Sequence, residues 1–215
     1  DGTAEVIDSG SFGTVALSPD GRRLAVGIAD ATGEQLWVRP LPAGPLSKLT
    51  FDASLNFRPA WTPDGQTVSF VSARGQNRDV YSQRADGSGP AHLVLDQPQD
   101  IYEAEWSRDG RWLVFRRGSM PGTDIMALRP GVDSAPTAIV ATAFSERAPA
   151  LSPDGRWLAY VSDESGRAEV YVRPFPDAAR AKWQVSLAGG TEPRWAHSGR
   201  ELFYRNVSGE LVAAE

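Results

Sequence analysis

Residues 151–176 read LSPDGRWLAYVSDESGRAEVYVRPFP, and they contain a turn sequence, Ser-Pro-Asp-Gly, that recurs along the whole chain. Its copies are Ser18–Gly21, Thr62–Gly65, Ser107–Gly110, Ser152–Gly155 and a degraded one, Ala196–Gly199. The glycines stand at positions 21, 65, 110, 155 and 199, so the spacings are 44, 45, 45 and 44 residues. A regular period of this length indicates one supersecondary unit that is repeated five times.

Each repeat contains four strand-like runs, rich in β-branched and aromatic residues and bounded by Gly, Pro, Asp and Ser. The run before each turn ends in a large apolar residue, such as Leu151, and two further runs follow the turn. The fourth runs are Leu46–Phe51, Ala91–Asp96, Thr137–Thr142 and Lys182–Leu187. Four antiparallel strands per period make one propeller blade. The sequence therefore predicts an all-β fold, a single β-propeller domain over residues 1–215 with four-stranded antiparallel blades.

The number of blades depends on the two ends of the chain. The last repeat has three runs and no fourth, whereas Thr3–Asp8 resembles the fourth run Ala91–Asp96. We expect this N-terminal strand to complete the last blade, which gives five blades, no exposed sheet edge and a compact monomer. The alternative is a fragment of a six- or seven-bladed ring, which would self-associate. Because the sequence starts at Asp1 without Met, we expect a segment of a longer or processed chain.

The composition excludes several classes of function. The net charge is −5 and no basic block occurs, so we expect no nucleic-acid partner. The chain has no cysteine, which rules out disulfides and thiolate metal sites. No apolar run reaches 18 residues, so we expect no membrane span and no direct membrane contact from this segment.

The repeats resemble the TolB-like family of β-propellers, whose repeats are rich in Pro-Asp turns. The likeness covers the whole chain and is sharpest in Leu151–Pro176 and Lys182–Asn206. These two segments also resemble the propeller that follows the kinase domain and membrane helix in bacterial serine/threonine kinases. The resemblance implies a bacterial, extracytoplasmic sensor or interaction domain. The kinase motifs themselves do not occur in the sequence.

Binding sites of propellers lie where the first strand of every blade approaches the central channel. Because strand residues alternate between faces, positions one and three before the large apolar residue should face that channel, and the loop position beyond them should lie at its mouth. These positions vary strongly between repeats while the turns barely vary, which is typical of a binding site on a regular scaffold. The candidate ligand-binding residues of this axial mouth are Arg58, Tyr102, Glu103, Glu105, Arg147, Glu192 and Arg194. The alternative is that their charges simply pair across a wet channel.

The sequence contains no catalytic motif, although some of its carboxylates could in principle act as catalytic groups. Glu103, Glu105 and Glu192 could supply the carboxylate pair of a glycoside hydrolase. The neighbouring arginines are expected to keep these glutamates ionised, whereas a general acid needs an apolar setting that raises its pKa. His92 and His197 share no metal-ligand spacing, and no G-x-S-x-G nucleophile sequence occurs. We therefore predict no catalytic residues, no metal and no cofactor.

The sequence thus favours a non-catalytic binding or scaffold propeller that takes a peptide, a protein or a small molecule at its axial mouth. Such a module fits the sensing part of a larger bacterial receptor or kinase. Two alternatives stay open: an enzyme with axial carboxylates, either a glycoside hydrolase or a lyase, and a purely structural spacer.

Overall fold

The computed structural model describes residues 12–30, 33–52 and 54–215, and every regular element in these residues is a β-strand. The chain divides into two compact units, Asp1–Pro98 and Gln99–Glu215. Each repeat forms one antiparallel sheet, so the first unit holds blades 1 and 2 and the second unit holds blades 3, 4 and 5. The fold is a five-bladed β-propeller, which confirms the predicted fold class.

The first unit contains eight strands in two sheets whose spatial order follows the chain. Blade 1 consists of β1 (Phe12–Leu17), β2 (Arg23–Asp30), β3 (Gly33–Pro40) and β4 (Ser47–Lys48). Blade 2 consists of β5 (Asn56–Trp61), β6 (Thr67–Ser72), β7 (Asp79–Arg84) and β8 (His92–Leu95). The core between them includes Leu36 and Val38 of blade 1 and Val68 and Phe70 of blade 2, all buried.

The second unit contains eleven described strands in three sheets. Blade 3 consists of β9 (Ile101–Trp106), β10 (Leu113–Arg117), β11 (Asp124–Leu128) and β12 (Thr137–Val140). Blade 4 consists of β13 (Arg147–Leu151), β14 (Trp157–Ser162), β15 (Glu169–Pro174) and β16 (Trp183–Gln184). Blade 5 consists of β17 (Thr191–Trp195), β18 (Leu202–Arg205) and β19 (Leu211–Ala214). Its predicted fourth strand, Thr3–Asp8, lies outside the described residues.

The Ser-Pro-Asp-Gly turns connect the first and second strands, as the sequence predicts. In blade 3 the Ser107 hydroxyl donates to Asp109 Oδ1 at 2.6 Å and accepts from the amide of Trp112 at 2.9 Å. Gly110 takes a φ of 72°, a conformation that a side chain would oppose. The pKa of Asp109 is lowered to about 2, mainly by the hydrogen bond from the Ser107 hydroxyl and also by the amide and the guanidinium of Arg111. The turn aspartates are therefore committed to backbone and hydroxyl donors.

Buried polar residues at the start of the third strand fix the link between blades. In blade 4 the fully buried carboxylate of Glu169 accepts hydrogen bonds from the Ser186 hydroxyl and from the Gly189 amide. In blade 1 Gln35 occupies the same repeat position and accepts from the Thr50 hydroxyl at 2.7 Å. These contacts hold the chain that leaves the last strand of one blade and begins the first strand of the next.

Candidate functional site at the inner strands

The first strand of each blade, called the inner strand here, is interrupted by a β-bulge near its start. Three residues in these bulges have positive φ although they are not glycine: Arg58 (53°), Ala148 (51°) and Glu192 (54°). Each of them precedes a proline, and the pairing register shifts at the same place in β5, β13 and β17. Proline is tolerated in strands at edges and bulges, since it has no N–H for the ladder. In blades 2 and 4 the backbone N–H of the residue before the proline turns out of its own sheet, toward a side chain of the preceding blade.

In the first unit this outward N–H is bound by the preceding blade. The amide of Arg58 donates to Thr14 Oγ1 at 2.9 Å, while the Arg58 residue itself is exposed. A second link joins the same two blades, because Trp61 Nε1 donates to the carbonyl oxygen of Ala16 at 2.9 Å. The inner strands of blades 1 and 2 are therefore tethered at both ends, which leaves the Arg58 side chain on the surface.

In the second unit Glu103 makes the equivalent tether between blades 3 and 4. Its Oε1 accepts the amide of Ala148 at 2.7 Å and lies 3.1 Å from Nε of Arg116. The Arg116 guanidinium also lies over the Tyr102 ring, 4.7 Å from the ring centre. Both members of the Glu103–Arg116 ion pair are largely buried. Glu103 thus acts as an interblade contact.

Glu105 makes a second tether to blade 4, and its pKa is raised above the ordinary value for glutamate. Its Oε1 accepts the amide of Leu151 at 2.6 Å, and its Oε2 lies 3.9 Å from Nη1 of Arg194. Burial raises the pKa of Glu105 to about 6, against the opposing effects of the Arg194 charge and the Leu151 amide. The Arg194 charge does not cancel this rise, because desolvation outweighs an ion pair as long as 3.9 Å. With a pKa of about 6 the Glu105 carboxyl is still mostly ionised at pH 7.

The exposed members of the predicted site in the second unit lie on the inner strand of blade 5. The side chains of Arg194 and Glu192 keep 65% and 62% of their accessible surface. Glu192 Oε2 lies 3.5 Å from Nη1 of Arg205, which belongs to the neighbouring strand β18. Pro193 between them is buried, so the two charges share the outward face. They are the predicted site residues of this unit that are most accessible to a ligand.

The structure thus divides the seven predicted site residues by environment. Tyr102, Glu103 and Glu105 are partly buried and contact other strands, Arg147 is partly buried at the start of β13, and Arg58, Glu192 and Arg194 are exposed. Sequence reasoning missed Arg116 and Arg205, which occupy the same position of the second strand in their repeats. The sequence did contain a sign of these two residues, because each arginine interrupts an apolar run. Blades 2 and 4 have valine at the same repeat position, Val71 and Val161.

The described part of the chain contains neither a metal-binding cluster nor a membrane-spanning helix. No group of three or more His, Asp or Glu side chains there could hold a metal ion. Residues 12–30, 33–52 and 54–215 also contain no helix with the length and hydropathy to cross a bilayer.

The comparison with protein families identifies the fold family. The TolB beta propeller domain matches residues 4–135, which is 132 of the 215 residues. The chain belongs to the TolB β-propeller family. The resemblance predicted from the Pro-Asp repeats is thereby confirmed.

Solved structures with the same fold include the putative TolB of Agrobacterium tumefaciens, with a TM-score of 0.76 and 17% identity over 94% of this chain and 80% of that one. TolB of Acinetobacter baumannii has a TM-score of 0.73 and 15% identity over 90% of this chain and 50% of that one.

Two curated relatives of this TolB-family chain differ greatly in length. The uncharacterized protein Atu1656 of Agrobacterium fabrum (strain C58) is 25% identical over 95% of this chain and 74% of its own length. The uncharacterized peptidase YuxL of Bacillus subtilis (strain 168) is 28% identical over 72% of this chain. That match spans only 23% of YuxL, so the similarity concerns a part of the larger protein.

Proposed function

We propose that this TolB-family propeller is a non-catalytic binding or scaffold module that takes a peptide, a protein or a small molecule at its inner strands. The observation that carries the proposal is the exposure of Glu192 and Arg194 in an otherwise regular scaffold. Charged side chains of both signs on a rigid strand are suited to orient a polar ligand.

The tethers strengthen this proposal because they separate structural charges from accessible ones. Glu103 accepts the Ala148 amide and forms an ion pair with Arg116, so a ligand would have to break interblade contacts to use it. Arg194 is exposed and is held weakly, by a 3.9 Å contact to Glu105 and a 3.4 Å hydrogen bond to the carbonyl of Pro193, so it can turn toward a ligand at little cost. We therefore propose Arg58 in the first unit and Glu192 and Arg194 in the second as ligand contacts. Glu105 lies beside Arg194, whereas Tyr102 and Glu103 contact Arg116.

The proposal includes a cellular setting. We place the module in a larger bacterial receptor or kinase, on the extracytoplasmic side, as the sequence resemblance implies. The match to a small fraction of the Bacillus relative supports a propeller that works beside other domains. The kinase association rests mainly on the sequence of residues 150–206.

A ligand screen with matched variants tests the binding function. We expect a panel of amino acids, short peptides and oligosaccharides to contain compounds that raise the melting temperature, since a ligand at 100 times its Kd adds about 2.7 kcal/mol. The double variant Glu192→Ala/Arg194→Ala, and separately Arg58→Ala, should weaken binding while Arg180→Ala, an exposed control, should not. Unchanged affinity in both site variants would contradict the proposal.

An enzyme with axial carboxylates is the second candidate, and the raised pKa of Glu105 is the observation that favours it. A carboxylic acid with a pKa of about 6 is partly protonated near that pH and can act as a general acid. A panel of polysaccharides, assayed for new reducing ends or unsaturated products, tests this function. Turnover that Glu105→Gln abolishes would establish the enzyme and refute the non-catalytic module.

A further inference from the structure

Blade 1 contains a cradle formed by two glycines and one glutamate. Glu34 begins the third strand, and its carboxylate reaches across the sheet over Gly27 of β2 and Gly13 of β1. A Cβ atom added to Gly27 would lie 2.0 Å from Glu34 Oε1, and one added to Gly13 would lie 2.6 Å from it. Both positions must lack a side chain for the carboxylate to occupy this place.

The cradle is specific to the first repeat. In blade 2 the positions of Gly13, Gly27 and Glu34 are filled by Phe57, Val71 and Arg78, and the Arg78 guanidinium lies over the Phe57 ring. Bulky or polar side chains also fill the two glycine positions in blades 3, 4 and 5, where they are Tyr102 and Arg116, Arg147 and Val161, and Thr191 and Arg205. Glycine inside a strand weakens it and often marks a place where another group approaches closely.

The carboxylate oxygen in the cradle lacks a partner in the described residues. Glu34 Oε1 is buried and forms no hydrogen bond with residues 12–30, 33–52 or 54–215. Burial raises the pKa of Glu34, and the charge of nearby Arg58 opposes that rise. A buried acceptor without a donor costs about 1–3 kcal/mol, and more when it is charged. A strand weakened by two glycines in order to hold such a group is typical of a site prepared for a ligand.

We propose that Glu34 Oε1 is the acceptor for a primary ammonium group of a ligand that binds at the cradle of Gly13 and Gly27. A cation with N–H donors satisfies the buried oxygen and also offsets the cost of desolvating the carboxylate, which a neutral donor or an anion does not. The inference rests on the proposed binding function and names the chemical group that the first unit recognises.

The experiment uses propylammonium chloride as the probe, with the full chain labelled for amide NMR. We expect the amide signals of Gly13 and Gly27 to shift in a saturable way. Tetramethylammonium chloride and sodium propionate at the same ionic strength should not produce these shifts, because the first has no N–H donor and the second has the wrong charge.

Two variants test the assignment from independent directions. Glu34→Gln removes the charge with almost no change in volume, and it should weaken propylammonium binding about 10- to 100-fold, as the loss of one charged hydrogen bond implies. Gly27→Ala leaves the carboxylate chemistry intact but fills the cradle, and it should abolish the response. Both variants should be at least as stable as the natural chain. Gly75→Ala is the control, since its Cβ would approach no nearer than 3.4 Å to another atom.

The propylammonium experiment can refute the ammonium site without refuting the proposed binding function, because the ligand screen uses other compounds and other variants. Identical propylammonium affinity in Glu34→Gln and in the natural chain, or equal shifts with tetramethylammonium, would overturn the assignment of Glu34. If Glu192 and Arg194 variants still lose ligand binding in that case, the proposed binding function stands and only the ammonium site is refuted.

Discussion

Glu169 offers the sharpest test of how the blades are held together. Its carboxylate has 0% exposure and accepts three donors: the Ser186 hydroxyl, the Gly189 amide at 2.9 and 3.0 Å, and Nε of Arg167 at 2.6 Å. Glu169→Ala removes all of these acceptors at once and leaves the Gly189 amide buried without a partner. A hydrogen bond to a charged group contributes about 1.5–3 kcal/mol, and removing one partner of a buried pair costs about 3–5 kcal/mol.

We expect Glu169→Ala to lower the free energy of unfolding by about 3 kcal/mol at pH 7, measured by urea titration. Glu169→Gln keeps the volume and one acceptor, so its cost should be about 1 kcal/mol. Gln35 shows that an amide is tolerated at this repeat position in blade 1. Glu215→Ala, an exposed carboxylate, is the control and should change stability by less than about 0.5 kcal/mol.

The pH dependence gives a second check on the same residue. Burial raises the pKa of Glu169, but hydrogen bonds from Ser186, Arg167 and Gly189 outweigh it, so the pKa in the folded protein is lowered. A lowered pKa stabilises the fold above the unfolded value of 4.5, and that contribution disappears as the pH falls through the folded value. The effect of Glu169→Ala should therefore be smaller at pH 3.5 than at pH 7. A loss below 0.5 kcal/mol at pH 7 would refute the reasoning.

Four further predictions concern other parts of the fold. Trp195→Phe removes the 3.0 Å bond to the carbonyl of Ala150 and should cost about 1 kcal/mol in urea unfolding. Asp154→Ala breaks one turn and should cost about 1 kcal/mol at pH 7, with an effect that fades at pH 3, because the Ser152 hydroxyl lowers the pKa of Asp154. Glu105→Gln should flatten the stability profile between pH 4.5 and pH 7, since the raised pKa of Glu105 makes the natural chain lose stability as the pH rises through about 6. Deleting residues 3–8 should lower the melting temperature and cause self-association on size-exclusion chromatography, if they close blade 5.

Local signals in the sequence were sufficient to predict the blades. The turn chemistry of Ser107–Gly110 and its copies depends on neighbours within five residues, so it is readable without a structure. The fourth strands were placed correctly, but each predicted run is longer than the observed strand, most of all in blades 1 and 4. In blade 4 the amides of Val185 and Ser186 both donate to the carbonyl of Val170, so the ladder ends after Gln184.

The interblade tethers could not be predicted, because they join residues about 45 positions apart. Whether Glu103 faces a ligand or the amide of Ala148 depends on the bulge in the next blade, which only the fold reveals. One signal was present, since the proline that follows Arg58, Ala148 and Glu192 marks an irregular strand. The cradle around Glu34 could not be predicted from the sequence. Gly13 and Gly27 lie on different strands, and their shared role becomes visible only when Glu34 of the third strand is seen to reach over both.

We propose that the inner-strand charges of the second unit fall into two groups, namely those that tether one blade to the next, such as Glu103, and those that contact a ligand, such as Arg194. The most direct test of this claim measures unfolding free energy and ligand affinity together for Glu103→Gln and Arg194→Ala, with a compound found in the screen. Glu103→Gln should lose about 2 kcal/mol of stability and keep its affinity, whereas Arg194→Ala should change stability by less than about 0.5 kcal/mol and bind at least about tenfold more weakly. The reverse pattern, or equal effects of both variants on affinity, would contradict the claim.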